Sequence, residues 1–229
     1  MKKKAISSLL AVLMLCGCTP KAAPGSSVQE QCSLIMDARP QWQQEESSHA
    51  DAYYYTVTDL DHNGHLELFA ASTQGTGIFT YGKFFEISED YTALTECTIP
   101  LQEYDTLPEV ICQSAPGCKD SDGRYHYLFN DSSRASAAEY GLAIVALSLH
   151  SGVLQPETLA WMYTRYTESG EHAEYHDPNG EITAEAFEHA QEAYCAGKEA
   201  FTVNLDWFSF QEDITAQRLL ASYETFIGR

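Results

Sequence analysis

Positive charge is scarce in this 229-residue chain. Thirteen Lys and Arg stand against 33 Asp and Glu, a formal net charge of −20. A surface of that sign repels phosphate backbones and anionic headgroups, which excludes nucleic acid as a partner. Beyond the N-terminal segment no apolar run is long enough to span a bilayer. No internal repeat is present, so solenoids and propellers built from tandem units are excluded. No Cys-x-x-Cys pair occurs, which removes the basis for a thioredoxin-like or zinc-ribbon role. The Gly-x-Ser-x-Gly elbow, His-Glu-x-x-His, the P-loop and Ser-x-x-Lys are all missing. What the chain does have is apolar and aromatic mass. It is 44% hydrophobic, with 14 Tyr, 10 Phe and 3 Trp, enough for a packed core.

The N-terminus gives an address. Lys2–Lys4 precede an apolar stretch, Ala5–Leu15, interrupted only by Ser7 and Ser8. That is the charged region and apolar region of a secretory signal, too short for a spanning helix. It ends in Leu15-Cys16-Gly17-Cys18, which resembles a bacterial lipobox: a branched apolar residue, then a small one, then the cysteine that takes the lipid. Cys16 would instead put bulky Leu15 at the cleavage position. The expectation is a signal peptide over 1–17, lipid on Cys18, a linker over 18–27 and a single extracytoplasmic domain over 28–229. The membrane is then a partner through the lipid alone, at the extracytoplasmic face of the cell membrane. Residues 1–17 hold three lysines and no acid, so the chain from Cys18 carries 10 basic against 33 acidic residues, a formal charge of −23.

Five cysteines follow Cys18: Cys32, Cys97, Cys112, Cys118 and Cys195. An odd number argues against a complete disulfide framework. Cys112 and Cys118 form the one local candidate, because Pro116-Gly117 can turn the chain between them; the alternative is two ordinary loop or core thiols.

The pattern predicts α+β, a meandering antiparallel sheet with helices at both ends. Ser27-Val28-Gln29-Glu30 reads as a capping box, with Val28, Cys32 and Ile35 at helical spacing and a stop before Pro40. Strands are predicted at 52–58, 65–72, 77–88, 124–130, 141–149, 159–167 and 198–210. Turns fall at His150-Ser151-Gly152 and Glu168-Ser169-Gly170. Thr183 caps one late helix and Asp213 another. The stretch 99–123, with its Pro, Gly, Asp and Ser, reads as a long surface loop suited to a variable function.

One segment carries metal chemistry. Asp59-Leu60-Asp61-His62-Asn63-Gly64-His65-Leu66-Glu67 places oxygen-bearing side chains at positions 1, 3, 5 and 9, with Gly at 6. Calcium takes six to eight oxygens, and this spacing offers Asp59, Asp61, Asn63, the His65 carbonyl and Glu67. The same residues also spell a plain hairpin, since Asn-Gly between alternating strands is a strong turn signal. His62 and His65 open a transition-metal alternative, against which the hard oxygens weigh.

The nine residues resemble the D-x-D-x-D-G loops of EF-hands and of calcium hairpins in FG-GAP-type propeller repeats. They depart from the EF-hand in having Ala70 at position 12 and strand-like flanks. More broadly, DLDHNGHLELF and the later YHDPNGEITAEAFEHA are similar to a family of Firmicutes-type bacterial lipoproteins to which no activity is attached. That resemblance implies location and architecture, not a reaction.

Other signals are weaker. Asp177-Pro178-Asn179-Gly180 is a near-ideal turn. His172 and His176, if on one strand, stand about 13 Å apart, too far to share an ion. The aromatics include candidates for a stacking platform, though such residues more often fill a core. The leading expectation is a non-catalytic, lipid-anchored module that binds an extracellular ligand or protein and holds a structural Ca²⁺. The alternatives are an extracytoplasmic hydrolase acting on glycan or peptide through paired carboxylates, and a metal sensor built on the histidines.

Overall fold

Ser27 opens the chain's first helix. In the computed structural model, which describes residues 27–43, 52–74, 79–101 and 106–229, its hydroxyl accepts from the Glu30 N–H while Glu30 reaches back to the Ser27 N–H. This reciprocal cap starts α1 (Val28–Asp37), and a short α2 (Arg39–Trp42) follows with Pro40 in its first turn. The lipidation site expected at Cys18 lies outside the described residues. Among the described residues no helix is long and apolar enough to cross a membrane.

The α+β class holds, but the strands divide between two antiparallel sheets. The first has five strands in the order β12-β1-β2-β3-β4: β1 (Ala52–Thr58), β2 (Glu67–Gln74), β3 (Phe79–Ile87), β4 (Leu94–Glu96) and β12 (Phe208–Ser209). The second has seven in the order β10-β9-β8-β7-β6-β5-β11. These are β5 (Ser114–Lys119), β6 (Tyr125–Ser136), β7 (Glu139–His150), β8 (Val153–Thr167), β9 (Gly170–Asp177), β10 (Gly180–Glu181) and β11 (Glu199–Asn204).

Two sheets form because the strands of the first are apolar on both faces. Leu66, just before β2, and Leu68 and Ala70 along it face α1 and the C-terminal α5 (Ala216–Phe226), whereas Phe69 and Ala71 face the second sheet. Phe84 and Phe85 of β3 are both fully buried, one in each layer. A single sheet with helices on one side would leave one of those rings in water, at about 2–3 kcal/mol each. The outer face of the second sheet is covered by α3 (Ala184–Glu188) and α4 (Ala190–Cys195), with Phe187 packed on Ile144 and Ala160. The layers therefore run helix, sheet, sheet, helix.

Three expectations are corrected. The stretch 99–123 is not one long surface loop: Leu107 and Val110 are buried and 114–119 is a strand between β6 and β11. The strand expected over 198–210 is two strands, and the chain crosses between sheets from Asn204 to Phe208. The last helix is capped by Thr215, whose hydroxyl accepts from the Arg218 N–H, rather than by Asp213.

Candidate metal centre in the first hairpin

The β1–β2 hairpin is built around an Asn-Gly turn. His62 and Gly64 take positive φ, 56° and 83°, and Asp59 and Asp61 accept backbone N–H groups within the turn. The Asp59 Oδ1 takes the Gly64 N–H at 3.3 Å, and the Asp61 Oδ1 takes the Asn63 N–H at 3.2 Å. Gln31 of α1 clamps the far side. Its Nε2 donates to the Gly64 carbonyl at 2.9 Å and its Oε1 accepts the Leu66 N–H at 2.7 Å. The turn is thus fixed to a helix as well as to its own strands.

Glu67, the first residue of β2, is fully buried. Its neighbours Leu66 and Leu68 face the helices, so strand alternation turns Glu67 into the space between the sheets. Its Oε2 accepts from the Thr58 hydroxyl and the Leu60 N–H, both at 2.8 Å. Its Oε1 has no hydrogen-bond partner. Ligand oxygens of Asp59, Asp61 and Glu67 all lie within 4.8 Å of one another, the one such acidic or metal-ligating group among the described residues. Three carboxylates at that separation, one with a buried oxygen that nothing satisfies, fit a hard divalent cation.

The electrostatics agree. Burial raises Asp59, Asp61 and Glu86 above the ordinary carboxylate range. Burial and then the charge of Asp59 raise Glu67 well above it. Each group therefore resists ionising without a counter-charge, and a cation would supply one.

The expected ligand set is only partly assembled. Asp59, Asp61 and Glu67 come together. Asn63 does not turn its oxygen to them: Oδ1 accepts the His65 N–H at 2.6 Å, and Nδ2 donates to Asp61 Oδ2 at 3.0 Å and Glu86 Oε1 at 2.9 Å. Neither imidazole joins the group. The His65 ring stacks on Tyr91 with centroids 4.5 Å apart, and the His62 ring lies 4.0 Å from that of Tyr125. The group of three ligands thus contains no imidazole nitrogen, although the His65 Nδ1 is also buried without a hydrogen-bond partner. His172 and His176 both stand on β9, opposite Arg165 and Trp161 respectively.

Two participants escaped sequence reasoning. Gln31 had a visible signal, a polar residue one position before Cys32 on the buried stripe of α1. Glu86 had none, because only the β2–β3 register places it opposite Glu67.

The Cys112–Cys118 disulfide is also corrected. Both thiols are free. The Cys112 Sγ donates to the Ser114 carbonyl at 3.3 Å, and Cys118, buried on β5 between β6 and the edge strand β11, has the Cys195 thiol as its neighbour. An extended strand from Ser114 onward takes Cys118 away from Cys112 instead of turning it back. Comparison of the chain with protein-family models, curated proteins and solved structures gives no match.

Proposed function

We propose that this chain is a lipid-anchored, extracytoplasmic binding module whose first hairpin holds a structural calcium ion. The single observation that carries the calcium reading is Glu67: a fully buried carboxylate with one oxygen unpartnered, beside Asp59 and Asp61. A buried polar atom left unsatisfied costs about 1–3 kcal/mol, more when charged. An oxygen-seeking cation removes that cost and the repulsion among the carboxylates together. The ion fixes the β1–β2 connection. Support for the anchor is the lipobox at Leu15–Cys18, which ties this acidic chain to a membrane that its charge alone would avoid.

Thermal unfolding tests the metal. Calcium should raise the melting temperature by several degrees over chelator, since a ligand at about 100 times its Kd stabilises the folded state by about 2.7 kcal/mol. Glu67→Gln retains an acceptor for Leu60 and Thr58 but removes the charge, so its calcium response should vanish while its melting temperature in chelator holds or rises. Coincident melting curves for the unsubstituted chain in calcium and chelator would reject the metal. Cell fractionation tests the anchor: Cys18→Ser should move the protein from the membrane to the medium or leave it unprocessed.

A further inference from the structure

Asp61 of the carboxylate trio lines an open cleft of about 900 Å³, within the range of ligand sites. Asp59 and Glu67 are buried, whereas Asp61 is half-buried and lines the cleft. Of the three, Asp61 alone connects the group to the cleft. The cleft walls come from the hairpin, the end of β3, β4 and the β7–β8 turn. They are joined across the two sheets: the Thr98 N–H donates to the Gly152 carbonyl and the Leu154 N–H to the Thr98 carbonyl, both at 2.9 Å. The cleft is therefore preformed rather than shaped by its occupant.

Its chemistry narrows the occupant. Asp61, Glu86, Glu89 and Glu96 line it, together with the hydroxyl residues Ser88, Thr95 and Ser151 and the imidazoles of His65 and His150; no lysine or arginine lines it among the described residues, and the nearest cation, Lys83, pairs with Glu96 at 3.3 Å from outside the lining. Such walls repel anions. A small organic cation would compete with the metal for the same charge. A neutral polyol fits both demands, because each hydroxyl can give its oxygen to a calcium ion and its hydrogen to a carboxylate. Three carboxylates need not fill the six to eight positions that calcium takes, and the remainder can be water or hydroxyl oxygens. Hydrogen bonds to ionised acceptors are the strong kind.

We infer that the cleft beside the first hairpin binds a neutral sugar through vicinal hydroxyls, one face of the diol on a calcium ion held by Asp59, Asp61 and Glu67 and its hydrogens on the carboxylates of the cleft wall. This rests on the calcium reading above and adds the ligand class. The ion then does more than brace the hairpin: it is the electrophilic half of the sugar site.

The purified protein is tested for retention on insoluble mannan, galactan and xylan, in calcium and in chelator, with the calcium-induced melting shift recorded in parallel. Retention on at least one polysaccharide in calcium, lost in chelator, is expected. Glu89→Gln and Glu96→Gln, both at exposed wall positions, should together weaken retention by about tenfold and leave the calcium melting shift unchanged. A normal calcium shift without retention on any of the three overturns the sugar site and leaves the calcium hairpin standing. Retention that survives chelator overturns the calcium-bridged mode. Absence of both shift and retention overturns the two readings together.

Discussion

The chain writes the same turn twice. Asp61-His62-Asn63-Gly64 joins β1 to β2, and Asp177-Pro178-Asn179-Gly180 joins β9 to β10. In each, the aspartate Oδ1 accepts the N–H of the asparagine two residues on, at 3.2 Å in the first and 2.7 Å in the second. The glycine has positive φ in both, 83° and 140°. The turns differ in their surroundings. Both are exposed at their last three residues, 62–64 and 178–180, but in the second Asp177 uses its oxygen on the turn itself, with the Gly180 N–H as a further donor, and no buried carboxylate flanks it. The first is preceded by buried Asp59, followed by buried Glu67 and clamped by Gln31 from another element. A D-x-N-G sequence therefore specifies a turn, and burial of the flanking carboxylates specifies a site.

The largest test of that contrast is truncation of the flanking acid. Glu67→Ala leaves the Leu60 N–H and the Thr58 hydroxyl buried without their acceptor, together with the void of the lost side chain. The expected loss is about 3 kcal/mol, read from urea unfolding in chelator. Asp177→Ala removes an exposed turn interaction and should cost under about 1 kcal/mol. Equal costs for the two would show that Glu67 is no more integrated than a turn aspartate.

The clamp comes next. Gln31→Leu keeps the buried volume but strands the Leu66 N–H and the Gly64 carbonyl. About 2 kcal/mol should be lost, and the calcium melting shift should shrink because the hairpin is no longer held in one geometry. A Gln31→Leu protein with unchanged unfolding and an unchanged calcium shift would show that α1 does not brace the hairpin.

Much of this was legible in the sequence, and the failures have physical causes. The capping box at Ser27, the helix opened by Thr183 and the aromatic strands after Ala52 were visible because caps and alternation are local. Strand β5 was not, because Pro116-Gly117 mimics a turn. Pro116 is tolerated there because the β6 ladder begins only at Gly117, so its missing N–H faces no partner on that side. Gly117 is required by packing: a Cβ would come within 2.5 Å of the Phe201 ring and of the His126 carbonyl oxygen. Glycine there marks close approach of two strands rather than a reversal. The candidate site was half legible. The spacing of Asp59, Asp61 and Glu67 was on the page, but the burial of Glu67 and the arrival of Glu86 depend on sheet register.

A smaller effect is expected from pH. The folded-state values of Asp59, Asp61, Glu67 and Glu86 all lie above the ordinary carboxylate range, chiefly through burial. The folded chain thus holds these protons more tightly than the unfolded one. In chelator, stability from this cluster is greatest below the unfolded value of about 4 and falls as pH rises through the raised folded values. Calcium binds the ionised form, so the melting gap between calcium and chelator should widen by a few degrees from mildly acidic to neutral pH. Glu67→Gln, which abolishes the calcium response, should abolish that widening as well. A gap independent of pH in the unsubstituted chain would separate the calcium effect from these carboxylates.

The smallest difference lies in the two asparagines, and it discriminates between a ligand and a spacer. Asn179 supplies the second turn with its backbone N–H, and its side chain is exposed; Asn179→Ala should change stability by no more than about 0.5 kcal/mol. The Asn63 amide spends its nitrogen on Asp61 and Glu86 and its oxygen on the His65 N–H. It holds two mutually repelling carboxylates apart with one shared donor and directs no oxygen toward the carboxylate trio. Asn63→Ala should therefore cost about 1 kcal/mol in chelator, where that donor is the cluster's local compensation. In calcium the cost should be smaller, because the ion takes over the compensation, so the calcium melting shift should persist or grow. Loss of the shift in Asn63→Ala, with retention in Asp61→Asn, would reverse the assignment and make the asparagine oxygen the ligand that the loop spacing first suggested.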